Sequence, residues 1–389
     1  MGLSSLPLGY CTNVHPGRSL QEVVAGLDRF AVPIQTRLGR PIAVGLWLAA
    51  PVMQEIRRNP ALAGCLVHGL PDRGLACYTM NAFPYGDFHS SRVKEKVYLP
   101  DWSAPERLEY TVQCAQFLTT CLPDSAEGSI STLPLGFKAA AVPPDFDRQC
   151  LDQLIELARQ LAALQEQTGK TVRIAIEPEP FCRIETTPEA VAFFQRLWKR
   201  SADVGCEAVV REHLGLCYDV CHQAVEFEDA GESIAAFSAA GVRIVKVQIS
   251  CAIECPSPAS DPAVRQALLN YVEPRYLHQT MAKGGEGTVH RASDLTPELV
   301  QSPPPAFAEA TPWRVHFHVP VDAETIGPLR TTRSELKTAF AAIARLAETP
   351  HLEVETYTWE VLPGESPDLV AGLSREIEAT TELIRQTIS

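Results

Sequence analysis

The sequence predicts an α/β fold, a (β/α)8 TIM barrel with a metal held at its C-terminal mouth. Short apolar runs alternate with longer amphipathic stretches from end to end, the pattern of parallel strands covered by helices. Several of the short runs end in a carboxylate or an imidazole: Leu216-Cys217-Tyr218-Asp219-Val220-Cys221-His222, Ile174-Ala175-Ile176-Glu177, Val315-His316-Phe317-His318 and Leu352-Glu353-Val354-Glu355. A strand end is a rigid place for a ligand, and barrel chemistry gathers at the C-terminal ends of the strands. The 389 residues fit one large barrel with insertions or two ordinary domains. No Gly/Ser linker or composition shift marks a boundary, so one domain over residues 1–389 is expected.

In chain order the expected strands are Gly9 to Val14, Ile42 to Leu48, Leu75 to Met80, Ser129 to Pro134, Val172 to Glu177, Gly215 to Asp219, Val242 to Ile249 and Leu352 to Tyr357. Val315 to Val319 is one candidate more than a barrel needs, so one of the set is expected outside it. Helical patterns lie at Leu20 to Leu38, Pro105 to Thr120, Asp147 to Gln167, Pro188 to Ser201, Glu232 to Ala239, Ser334 to Ala347 and Leu369 to Ile388. Short helices are expected between Trp47 and Asp72. The larger break, residues 251–312, carries Pro-rich pieces around a helix-like segment and reads as an insertion after the seventh strand that caps the mouth.

Composition narrows the function. With 46% hydrophobic and 21% charged residues the chain is ordinary globular material, and a formal charge of −13 argues against a nucleic-acid partner. The twelve cysteines form no CxxC pair, and most fall inside apolar patterns, where a free thiol acts as a small hydrophobe. Cys217/Cys221 and Cys251/Cys255 offer only a weak metal-ligand spacing. A reduced, cytoplasmic protein is expected, without signal peptide, myristoylation (Leu6 sits where Ser or Thr is wanted) or membrane insertion.

Mixed carboxylates and imidazoles favour a divalent Zn, Mn or Fe over Mg or Ca, which prefer all-oxygen shells. Glu177, Asp219, His222, His316, His318 and Glu355 are the candidate ligands. His316 and His318 share a strand face because strand side chains repeat every second residue, as do Glu353 and Glu355, of which Glu355 lies nearer the mouth. Glu179, between Pro178 and Pro180, is a lesser candidate. His15, Asn81 and Gln248 end other strands and are expected to touch substrate, joined from the insertion by Arg275 and His278. Ser131, Lys138, Lys94, Tyr98 and Trp102 are weaker wall candidates. No P-loop, Gly-x-Ser-x-Gly elbow or His-Glu-x-x-His helix is present, and no GxGxxG follows the first strand.

The ordered set Glu177, Asp219-x-x-His222 and Glu355 resembles the xylose isomerase-like TIM barrel superfamily. The stretches Tyr10-Cys11-Thr12-Asn13-Val14-His15-Pro16-Gly17, Asn81-Ala82-Phe83-Pro84-Tyr85-Gly86, Val97-Tyr98-Leu99-Pro100-Asp101-Trp102, Arg275-Tyr276-Leu277-His278-Gln279 and Trp313-Arg314-Val315-His316-Phe317-His318 look most like its EboE group of metabolite traffic proteins. The resemblance implies a metal held by Glu, Asp, His and Glu, as in sugar isomerases and epimerases. It departs from them at Gln248, where they place a histidine on the seventh strand. His316-Phe317-His318 is instead similar to the Asp-x-His of endonuclease IV-type enzymes, with His for Asp. The leading expectation is a metal-dependent sugar isomerase or epimerase, with Glu177 and Glu355 as proton carriers, acting on a small polyhydroxylated metabolite, phosphorylated or not. Its setting would be the synthesis or transport of a secondary metabolite, alongside other proteins of the pathway. The alternatives are a multi-metal phosphoester hydrolase and a non-catalytic carrier barrel.

Overall fold

Wholly apolar strands such as Ile42-Ala43-Val44-Gly45-Leu46-Trp47 belong in a parallel sheet covered on both faces, and the computed structural model places them there. It describes residues 6–123, 126–256, 258–364 and 368–388. Eight parallel strands run β1 (Gly9–Cys11), β2 (Ile42–Trp47), β3 (Thr79–Asn81), β4 (Gly128–Thr132), β5 (Val172–Ile176), β6 (Leu214–Asp219), β7 (Ile244–Ile249) and β8 (His351–Val354). β1 pairs with both β2 and β8, which closes the barrel. The expected third strand is broken: Leu75–Ala76 pairs with the foot of β2, and β3 resumes at Thr79.

The outer helices follow their sequence signals. Thr187–Asp203 starts in a capping box, Thr186 with Glu189, has Pro188 in its first turn, and buries Ala190, Phe193, Phe194, Leu197 and Trp198 along one stripe. Among the described residues no helix is long and apolar enough to cross a membrane.

Between β7 and β8 the chain builds a second, six-stranded antiparallel sheet from Cys251–Cys255, Thr280–Lys283, Val289–Ala292, Trp313–Val319, Thr325–Ile326 and Leu329–Thr331. The surplus strand candidate lies here. Trp313–Val319 pairs antiparallel with Cys251–Cys255 and Thr280–Ala282 rather than with any barrel strand. Because Cys251 starts two residues after β7 ends, this sheet stands directly on the mouth. Helix Arg333–Ile343 then leads to β8.

Below the mouth the barrel holds a buried ion pair. Lys246 Nζ lies 2.7 Å from Glu353 Oε1, with further bonds to Met80 O and Ser131 Oγ, both at 3.3 Å. The Thr79 hydroxyl donates to the same carboxylate. Gly45 makes room for it, since a Cβ there would overlap the Glu353 oxygens. Burial alone would lower the pKa of the ammonium, but the Glu353 charge beside it holds that pKa above the ordinary lysine value.

Candidate metal centre

Each candidate ligand owes its position to a strand end or to the second sheet. Glu177 follows β5, its N–H still bonded to Thr132 O at 3.0 Å, and Pro178 and Pro180 then prevent further pairing. Asp219 ends β6 and caps helix Val220–Val225. Its Oδ1 accepts from the His222 N–H at 2.9 Å and from the Ser250 hydroxyl at 2.7 Å, which leaves Oδ2 buried and unpartnered. Glu355 follows β8, and its Oε1 accepts from the amides of Asn13 (2.8 Å) and Asn81 (2.9 Å).

The three histidines are held alike. Nδ1 of His222 meets Pro178 O at 2.9 Å, that of His318 meets Glu355 O at 2.8 Å, and that of His316 meets Gln279 Oε1 at 2.8 Å. Each acceptor is a carbonyl oxygen, so each Nδ1 must carry the proton and each Nε2 presents a lone pair. Nε2 of His316 and of His318 is buried without a partner, as are Glu177 Oε2 and Asp219 Oδ2. The Nε2 atoms of His222 and His318 lie 3.8 and 3.9 Å from Asp219 Oδ2. Orphaned buried donor atoms of both kinds facing one space fit a divalent cation, and the Nδ1 bonds are the outer contacts that orient ligand imidazoles.

Ligand atoms gather within 4.8 Å of one another in overlapping groups: Glu177/Asp219/Glu355, Asp219/His222/His318, Glu179/His222/His316 and Cys221/His316/His318. The first and third groups share no residue. Cys221 fits least, because burial and the Asp219 charge push its thiol well above the ordinary range. Burial, then the Glu355 and Asp219 charges, push Glu177 up; burial and Asp219 push Glu355 to about 8. Burial lowers His318 to about 4 and His316 well below its ordinary value, so both imidazoles are neutral, the form that ligates.

A cavity with about 520 Å³ of free space, its open mouth included, lies over this floor. Of the expected site residues, Glu177, His222, His316, His318, Glu355 and Asn81 line it, with Asp219 just beneath. Gln248 is fully buried at the level of Asp219 and Glu353 on the neighbouring strands, with both amide atoms unpartnered.

Besides Gln248, which lies beneath the lining, three expected substrate contacts are not brought to the cavity. His15 turns to the Tyr10 hydroxyl at 3.2 Å and packs on Phe30. His278 is clamped between His316 O (2.9 Å) and Glu273 (2.7 Å), and Arg275 pairs with Glu360 at 2.9 Å. Each polar group has a nearer partner in the fold than any ligand would be. The weaker candidates divide similarly. Lys138 pairs with Glu185 and Glu189, Ser131 serves Lys246, and Trp102 is buried, whereas Lys94 and Tyr98 line the cavity.

Asn13 and Gln279 lie inside stretches quoted above without being singled out as site residues. Gln279 accepts from His316 and donates to the Tyr98 hydroxyl at 3.0 Å, while that hydroxyl donates to Glu179 at 2.7 Å. This ties the second sheet to the β5 loop. Gln279→Leu should free the His316 ring and weaken metal binding about 10- to 100-fold with the fold intact. Metal titration followed by circular dichroism checks it, and unchanged affinity would remove Gln279 from the site.

No family model matches the chain, and no curated protein does. Solved structures do. One is a xylose isomerase-like TIM barrel protein from Mycobacterium smegmatis in complex with magnesium, 11% identical, with all of both chains covered and a TM-score of 0.54. Others are the IolI protein with a bound zinc atom (12% identical, 99% of this chain and 98% of that one, TM-score 0.48) and a D-tagatose 3-epimerase-like protein (10%, 99% and 100%, 0.49). At such identities likeness speaks for fold alone, and on the first of them this chain shares the (β/α)8 TIM-barrel fold of that protein.

Proposed function

We propose that the protein is a metal-dependent isomerase or epimerase of the EboE group, acting on a small hydroxylated metabolite of a secondary-metabolite pathway. The observation that carries this is the set of buried, unpartnered oxygen and Nε2 atoms on Glu177, Asp219, His316 and His318. Asp219, His222, His316 and His318, with Glu177 and Glu355, would hold a Zn, Mn or Fe ion. When bound, such an ion supplies Lewis-acid stabilisation of charge that builds on substrate oxygen. Two of the carboxylates would then serve as proton carriers. Glu355, fixed by two asparagine amides, takes the proton from carbon, and Glu177 returns it or serves in the reverse direction. Asn81, which lines the cavity and donates to Glu355, would hold that carboxylate in position. The twelve free cysteines fit a cytoplasmic setting, and other proteins of the pathway are the expected partners.

Solvent-deuterium incorporation into a panel of ketoses and cyclitol ketones tests the reaction. Glu177→Gln should cut exchange about 10²- to 10⁴-fold. Exchange at the wild-type rate in that variant would remove Glu177 from the chemistry. A second reading has a specific observation behind it: Glu177/Asp219/Glu355 and Glu179/His222/His316 are separate ligand groups, room for two ions, as a phosphoester hydrolase would use. About one metal equivalent per chain by elemental analysis favours the isomerase, and two or more favour the hydrolase.

A further inference from the structure

Apart from Lys94 and tyrosine hydroxyls, the polar groups lining the cavity are those of its floor. Its outer wall is built by Phe83, Phe88, Val97, Tyr276, Leu277 and Tyr357. Three of these form an aromatic cluster, with ring centroids 4.8 Å apart for Phe88–Tyr276, 5.3 Å for Phe88–Tyr357 and 5.0 Å for Tyr276–Tyr357. Of the three tyrosine hydroxyls that line the cavity, two are spent. That of Tyr276 donates to Phe88 O at 3.1 Å, and that of Tyr98 to Glu179.

Lys94 is the one lining residue, among those described, with a permanent positive charge. Its ammonium lies 2.6 Å from Asp294 and 3.2 Å from Glu273 O, so it is already neutralised by loops of the segment between β7 and β8. The amides of Asn13 and Asn81 donate to Glu355, at the floor. A phosphate would find no free cation on the wall. A bare polyol would leave hydroxyls desolvated against rings and aliphatic carbons, at a cost for each. An apolar group gains there what the polar ones lose.

We propose that the substrate is uncharged and carries an apolar body, a ring or chain held against Phe83, Phe88, Val97, Tyr276, Leu277 and Tyr357, behind the oxygens that meet the floor. For that oxygen-bearing head the inference rests on the metal-site reading above; for the apolar body it does not. Both halves are tested on the full chain.

Zinc-loaded protein is titrated with benzohydroxamate, acetohydroxamate and erythronohydroxamate, which share one chelating head and differ only in the body. Benzohydroxamate should bind about tenfold or more tighter than either of the others. Leu277→Ser and Val97→Ser, both at half-buried positions, should shrink that ratio while leaving acetohydroxamate unchanged. Equal affinities, or a preference for the polyhydroxylated erythronohydroxamate, would overturn the proposal.

Metal-free protein is titrated in parallel with the neutral dye N-phenyl-1-naphthylamine. Saturable fluorescence enhancement that Leu277→Asp abolishes supports the apolar wall, and no enhancement in the wild type overturns it. Dye binding by a protein that takes up no zinc would keep the apolar body and sink only the metal-site reading.

Discussion

Substituting Asp219 by Asn together with His222 by Gln is expected to reduce metal uptake from about one equivalent per chain to a trace, with the barrel still folded. Metal affinity rests on charge and donor number, and this pair removes a full negative charge and one imidazole from the middle of the overlapping ligand groups. Asparagine is the informative replacement because Asp219 also has a structural task. Its Oδ1 caps helix Val220–Val225 and accepts from Ser250, and an amide oxygen keeps both bonds. Alanine would lose the cap, a separate cost of about 1 kcal/mol.

Elemental analysis reads the uptake directly, and thermal melts give a second view. A ligand at about 100 times its Kd adds roughly 2.7 kcal/mol to stability, so the wild type should melt higher with metal and the double variant at one temperature regardless. Without metal the variant should be no less stable than the wild type, because Asp219 is one of the charges that push Glu177 and Glu355 up. A double variant that retained the wild-type metal content would end the proposed centre.

The residues of this site divide by how much of their position is set locally. Glu177, Asp219 and Glu355 could be found from sequence because an apolar run ending in a carboxylate is a local signal, and strand ends in a barrel converge whatever the loops do. His316 and His318 were legible as a pair through their two-residue spacing, yet their strand belongs to the second sheet. Periodicity reports which residues share a face and says nothing of which sheet that face joins. Gln279 carries no such signal, since a lone amide outside any expected strand or helix has no periodic context. Asn13, inside the first expected strand, is an amide that alternation alone does not mark as a site residue. Their roles exist only because the fold brings Gln279 against His316 and Asn13 against Glu355. His15, Arg275 and His278 show the converse: each residue type suits a binding site, but Tyr10, Glu360 and Glu273 reach them first, across distances that sequence does not encode.

Lys246→Met is expected to cost about 3–5 kcal/mol of folding stability, the usual result of stranding one partner of a buried ion pair. Alternation along β7 already puts Lys246 on the same inward face as Gln248, and Glu353 on β8 meets it with neither side chain reaching solvent. Methionine fills the lysine's volume but leaves the Glu353 carboxylate with the Thr79 hydroxyl and no counter-charge. Urea unfolding of Lys246→Met beside the neutral double variant Lys246→Met/Glu353→Leu separates charge from packing. The double variant should recover most of the loss, because well-packed apolar replacements of a buried pair are often neutral or stabilising. A single variant within about 1 kcal/mol of the wild type would show the pair to be dispensable. The consequence reaches the mouth as well. Lys246 is the positive charge that opposes the upward push on Glu177 and Glu355, so its loss should make both carboxylates harder to ionise and weaken metal binding. Stability and metal affinity should therefore fall together in the single variant, although Lys246 is itself no ligand.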